Sequence, residues 1–335
     1  MLRTAIVAVC LAWIGGAAPT ADAQGNTAKG LDIYVGSSPG AGYDLYARLL
    51  SRYMDKYLPG KPTIRVINMD GAGGLTLANW LYSVAPHDGQ ILGTFGRGVA
   101  FENLLEPQHA TFDGRKFGWV GSMNDEVSVC VAWNTSGITK FEDLQTKELT
   151  VGATGAGGDT YVLANLLNSV LGTKLKIVNG YPGGNEISLA LERGEVQGRC
   201  GWSWSSLKAT HMDWIKSGKM RVIVQLGLNK HPDLPDVPSA LDFVKTPEQR
   251  DILKLVFARE TMAWPFATPP GVPPARLAEF RKAFVAATKD PDLLSEAEKS
   301  QFEIRPVTGE QIDKILADAY NIPAATISRT AELLK

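Results

Sequence analysis

Short apolar runs of strand length recur along the chain: LDIYVG (31–36), TIRVIN (63–68), QILGTF (90–95), LTVGAT (149–154), LKIVNG (175–180), VQGRCG (196–201) and MRVIVQL (220–226). Between them lie segments with apolar residues at helical spacing, Leu45, Leu49, Leu50 and Tyr53 among them. This alternation predicts an α/β fold in which mostly parallel sheets carry helices on both faces. From about Pro273 the chain becomes helix-rich and charged, which predicts helices packed on one lobe. In sheets of this kind a ligand binds beyond the carboxyl ends of the strands, at the turns that lead into helices.

Three such turns are rich in glycine. They are Pro39-Gly40-Ala41-Gly42-Tyr43-Asp44, Asp70-Gly71-Ala72-Gly73-Gly74 and Gly155-Ala156-Gly157-Gly158-Asp159-Thr160. Each follows an apolar run and precedes a helical pattern, so unpaired N–H groups of a helix start would point outward beside flexible glycines. Backbone of this kind cradles an anion without needing an arginine, and the helix dipole adds up to about 2 kcal/mol. The plainer alternative is a tight connection in which Asp44 and Asp159 cap their helices.

The N-terminus changes where the protein is expected to work. Arg3, an apolar stretch to about Ala18 and the small-x-small sequence Ala21-Asp22-Ala23 predict a signal peptide over residues 1–23 and an exported, periplasmic protein. The stretch is shorter than the roughly 20 residues a spanning helix needs. Val9 before Cys10 is a poor context for a lipid anchor. Removing Arg3 and Asp22 leaves the net charge at −1, with no basic excess to bind nucleic acid. About 310 residues remain, enough for two lobes. Cys130 and Cys200 either pair in that oxidising compartment or stay as buried small hydrophobes.

Catalytic and cofactor chemistry finds little support. Thr160 stands where a dinucleotide fingerprint needs its third glycine, and no phosphate-loop lysine motif occurs. His87, His109, His211 and His231 lack metal-ligand spacing and read as surface or turn residues. No G-x-S-x-G elbow is present. A binding protein without cofactor or metal is the expectation.

Taken in order, the loops resemble the Bug-type, or tripartite tricarboxylate transporter, periplasmic receptors. PGAGYD resembles the family pattern P-x-G-G-x-x-D with one position fewer, NMDGAGG matches N-x-x-G-A-G-G, and APHDG resembles A-P-D-G with His87 inserted. GATGAGGDT, NGYPGGNEISLALERGEVQG and HPDLPDVPSA continue the likeness over nearly the whole mature chain. The resemblance implies a type II periplasmic binding fold, with residues 24–127 plus 229–335 as one lobe and 128–228 as the other. It implies a monomer that captures a small organic carboxylate between its lobes and delivers it to integral membrane transporter subunits, without entering the membrane itself.

Carried over by position, Gly40, Ala41, Gly42, Tyr43 and Asp44 form the first ligand loop. Gly71, Ala72, Gly73 and Gly74 form the second, and Gly155, Ala156, Gly157, Gly158, Asp159 and Thr160 the third. The family commonly has Ser and His where Gly158 and Tyr161 stand, a small polar residue at Arg97, and an apolar one at Arg199. These departures make Arg97 or Arg199 the candidate contact to a ligand carboxylate, against interlobe ion pairing for each. Tyr43, Tyr161, Tyr181, Trp202 and Trp204 are the candidate aromatic walls, which would suit an aromatic or dicarboxylate ligand. Alternatives are a receptor for an amino acid or neutral solute, with Asp44 or Asp159 facing an ammonium group, and a sensory protein that docks on a signalling receptor.

Overall fold

The computed structural model describes residues 30–105 and 110–334. The expected signal peptide, Cys10 and His109 lie outside the described residues. The chain forms two sheets. β1 (Leu31–Val35), β2 (Ile64–Asn68), β3 (Ile91–Thr94) and β4 (Gly118–Ser122) open the first. β5 (Ser128–Trp133), β6 (Leu149–Gly152), β7 (Leu175–Val178), β8 (Gly198–Ser203) and β9 (Met220–Leu226) make the second, after which β10 (Pro265–Thr268) and β11 (Val307–Thr308) rejoin the first. Their orders are β11-β4-β10-β3-β1-β2 and β7-β6-β8-β5-β9.

The sheets are mixed, where the alternation of runs led us to expect mostly parallel ones. β1 pairs in parallel with β2 and β3, and β6 with β7 and β8. β10 runs antiparallel to β3 and β4, β11 to β4, and β5 to β8 and β9. β5 enters the second sheet straight from β4 over the link 123–127, and β10 enters the first on the way back. Neither direction is set by a right-handed βαβ crossover, which alone forces parallel pairing.

The helices are α1 (Gly42–Ser51), α2 (Leu75–Ser83), α3 (Glu102–Leu105), α4 (Phe141–Thr146), α5 (Asp159–Leu171), α6 (Gly184–Glu192), α7 (Trp204–Lys216), α8 (Pro247–Phe257), α9 (Pro274–Ala287), α10 (Pro291–Lys299), α11 (Gly309–Tyr320) and α12 (Ala324–Leu334). α1 buries Tyr46, Ala47, Leu49 and Leu50. It stops before Tyr53, which the helical spacing had included. Capping boxes start α8 (Thr246 with Gln249, Pro247 inside) and α11 (Thr308 with Gln311), each satisfying N–H groups the first turn leaves open.

The C-terminal helices do not all stay on one lobe. α9 packs on β4, but α12 lies against α5 of the second lobe as well as α3 and α8. Asn165 Nδ2 donates to the Leu334 carbonyl, and Gln249 Nε2 to the Val170 carbonyl at 2.7 Å. One apolar core therefore runs from Leu77, Leu81 and Phe101 through Leu166 and Leu167 to Val256 and Leu334. Each such side chain is worth about 1.5–3 kcal/mol when buried, so the lobes share a packed apolar seam. Cys130 and Cys200 form a disulfide between β5 and β8, both residues fully buried.

Candidate ligand-binding cleft

Three helix starts meet across the gap between the lobes. Gly42 and Tyr43 open α1, Gly158, Asp159 and Thr160 surround the start of α5, and Gly183 and Gly184 that of α6; all of them line one cavity of about 70 Å³. Ser37, Ala41, Gly73, Gly96 and Trp264 complete the first-lobe wall. Arg199, Trp202, Ser203 and Ser206 contribute from β8 and the α7 start.

The first and third glycine turns thus reach the cavity, and the second reaches it only through Gly73. Gly40, Asp44, Gly71, Ala72, Gly74, Gly155, Ala156, Gly157 and Tyr161 stand off the wall, as do Tyr181 and Trp204. Asp44 is fully occupied in holding its loop: its carboxylate accepts from Gly40 N at 2.7 Å, Arg48 Nε at 2.8 Å and Asn68 Nδ2 at 3.0 Å. Those bonds, with Arg48 first among them, outweigh burial and hold its pKa below the usual carboxylate value.

Gly73 explains why the loops can close. Its φ of +70° places it in the left-handed region, and a Cβ there would overlap Gly158 N and stand 2.6 Å from Gly158 Cα. Backbone meets backbone at this point, which only glycine permits. At the mouth, Ser38 Oγ donates to Glu186 at 2.9 Å and Asn185 Nδ2 to the Pro39 carbonyl at 2.8 Å, both between lobes.

The two candidate arginines have opposite environments. Arg97 is 1% exposed and saturated by protein: Nε faces Glu260 at 3.0 Å and Asp159 at 3.3 Å, Nη1 donates to Ser203 Oγ, and Nη2 donates to Ser128 Oγ. It does not line the cavity, and the carboxylates it meets are the protein's own. Asp159 sits inside α5 and not at its N-cap, which is Gly158, and it also faces Arg259 at 3.7 Å. Asp159 is therefore the second-lobe end of a buried ionic bridge. Burial pushes the Glu260 carboxyl up to about 8 despite the opposing Arg97 charge.

Arg199 is 9% exposed and lacks a counter-ion among the described residues. Nη1 donates to the Gly184 carbonyl at 3.2 Å, Nε has no partner, and the guanidinium lies 4.2 Å from the Trp202 ring. Burial alone lowers its pKa to about 9, so it stays charged at neutral pH. An unpaired buried cation is expensive unless something anionic joins it.

Sequence patterns missed several wall residues. Trp264, stacked on Tyr46 at 4.6 Å and edge-on to Tyr43 at 4.8 Å, is a lone tryptophan far along the chain with no motif around it. Gly183 and Gly184 lay in the quoted GYPGG run, whose glycine pair was the available signal. Among the histidines, His231 opens a turn but is buried, and His211 is half-buried within α7 instead of lying at the surface or in a turn. His231 Nε2, Asp233 and Glu303 cluster as metal ligands do, but Lys208 Nζ already lies 2.7 Å from Asp233 and 2.8 Å from Glu303, supplying the positive charge there.

Two lobes, crossing strands and an interlobe cavity at helix starts define the two-lobed type II periplasmic binding protein fold. Among solved structures it is that of the Bug-type periplasmic binding proteins. MatC from Rhodopseudomonas palustris with bound malate has 20% identity and a TM-score of 0.69, over 91% of this chain and 99% of that one. Periplasmic binding protein BugD has 19% identity and a TM-score of 0.71, over 90% and 95%. R. palustris Rpa4515 with adipate has 16% identity and a TM-score of 0.70, over 90% and 97%. No family model matches the chain, and no curated protein does. Among the described residues no helix is long and apolar enough to cross a membrane.

Proposed function

We propose that the protein is a periplasmic receptor that captures a small organic carboxylate between its lobes and delivers it to membrane transporter subunits. The observation that carries this reading is Arg199, a buried cation on the cavity wall with no carboxylate partner among the described residues. The malate and adipate bound by fold relatives support an acid ligand. The amino-acid alternative loses its acidic contacts, because Asp44 is committed to its loop and Asp159 to Arg97 and Arg259.

The test is a thermal-shift and calorimetric screen of refolded protein against mono-, di- and tricarboxylates, amino acids and sugars, with Arg199→Met alongside. A ligand at a hundredfold its Kd adds about 2.7 kcal/mol to native stability. Charged hydrogen bonds contribute about 1.5–3 kcal/mol, so Arg199→Met should weaken the acid ten- to 150-fold. The ligand-free variant should unfold no earlier than wild type, since it sheds an unpaired buried charge. Unchanged acid affinity in the variant, or a screen answered only by neutral solutes, would overturn the proposal.

A further inference from the structure

Within that carboxylate-receptor reading, on which this inference rests, the cavity is selective about charge and size. We infer that its ligand is a compact monocarboxylate carrying an oxygen on the adjacent carbon, a short 2-hydroxy or 2-oxo acid, and not a dicarboxylate or an aromatic acid.

Three observations converge. The wall holds one cationic side chain, Arg199, and its remaining charged group is the carboxylate of Asp159. One end of a ligand is thus matched by a guanidinium. A second carboxylate would have only backbone N–H groups at the helix starts to meet and no second cation, since Arg97 and Arg259 are turned to Asp159 and Glu260.

Volume gives the second constraint. The cavity is small, about 70 Å³ against the roughly 300–1,000 Å³ of pockets that take drug-sized ligands, which favours a short acid, and a benzoate or six-carbon diacid would press on the Gly73–Gly158 approach.

The third is the polarity of the facing wall. The Trp264 indole N–H and Ser37 hydroxyl have no hydrogen-bond partner among the described residues, and both residues line the cavity from the first lobe. Indole nitrogen only donates, so it suits an oxygen and repels an ammonium group. A ligand carboxylate on Arg199 and a neutral oxygen toward Trp264 and Ser37 would bridge the two lobes with a matched group at each end.

Calorimetry of the refolded protein with glycolate, lactate, pyruvate, propionate, alanine, succinate, malate, adipate and benzoate tests this. Lactate or pyruvate should bind at least tenfold more tightly than propionate, alanine, benzoate and every diacid. Trp264→Phe should shrink the preference for lactate over propionate at least fivefold, with propionate affinity kept within threefold. Because Trp264 also packs on Tyr46, Ser37→Ala is the second variant and should shrink the same ratio. A diacid or benzoate binding most tightly would overturn the inference while leaving the carboxylate receptor standing. An unchanged lactate-to-propionate ratio in folded Trp264→Phe and Ser37→Ala would overturn the placement of the neutral oxygen. Failure of every acid would overturn both.

Discussion

Placing one methyl group at Gly73 should separate closure from folding. In Gly73→Ala the new Cβ would overlap Gly158 N and lie 2.6 Å from Gly158 Cα and 2.8 Å from Gly157 C, all backbone atoms of the opposite lobe. Backbone cannot rotate away as a side chain can, so the lobes must part by more than about 1 Å to restore ordinary contact. A radial gap of 0.5–1 Å forfeits about a quarter to a half of each dispersion contact across the cleft. It also draws Arg199 back from a ligand held on the first lobe, where charged hydrogen bonds are worth about 1.5–3 kcal/mol. Ligand affinity should therefore fall ten- to 150-fold. The left-handed backbone at φ +70° adds about 1–2 kcal/mol of strain in any conformation. Gly137→Ala isolates that strain, because Gly137 has φ +73° and nothing within 4 Å of the added Cβ. Titration calorimetry and urea unfolding of both variants would give the comparison. A stability loss in Gly73→Ala at least as large as in Gly137→Ala, with affinity lost only in Gly73→Ala, is the expected outcome. Gly73→Ala affinity within threefold of wild type would refute the backbone-on-backbone closure.

Two further outcomes follow from groups described above. The Cys130–Cys200 link encloses a 70-residue span, for which loop entropy gives about 4 kcal/mol; Cys130→Ser with Cys200→Ser should lower urea stability by about 2–4 kcal/mol, and no loss would remove the disulfide as a stabiliser. His211 lies 4.0 Å from Trp214 and 5.3 Å from Trp202, and burial, then the Arg199 charge, lowers its pKa from 6.5 to about 4. The unfolded chain binds the proton more tightly, so this contribution is complete above pH 6.5 and is lost as pH falls toward 4. His211→Gln should flatten the stability profile in that window, and an identical slope would contradict it.

The first and third glycine turns were legible because a glycine-rich strand-to-helix turn is a local pattern, and locality is what a single sequence displays. β1, with Leu31, Ile33 and Val35 buried, declares itself by alternation. β4, GWVGS, interrupts its apolar residues with glycine and serine, and β10, PFAT, opens on proline, so neither shows a strand period. The arginines show the limit most clearly. Both put an arginine where the resemblance has an uncharged residue, yet Arg97 finds Glu260, 163 positions away, while Arg199 finds no carboxylate among the described residues. Pairing across such separations depends on the fold, and a carboxylate count along the chain carries no trace of it. Trp264 escaped for the same reason, since its wall position comes from β10 returning beside β3 and β4.

The placement of Asp159 restricts how this protein can diversify. It stands at the α5 start that lines the cavity, and the same side chain closes the ionic bridge to Arg97 and Arg259. Substitutions that retune ligand preference on this loop also disturb the balance between open and closed lobes, so such variants begin with a handicap unrelated to the new ligand. Arg199 and Trp202 on β8, and Trp264 beside β10, take no part in the bridge. A lineage adapting to a different acid would find its accessible mutations on those two strands, with the glycine loop held constant as shared machinery.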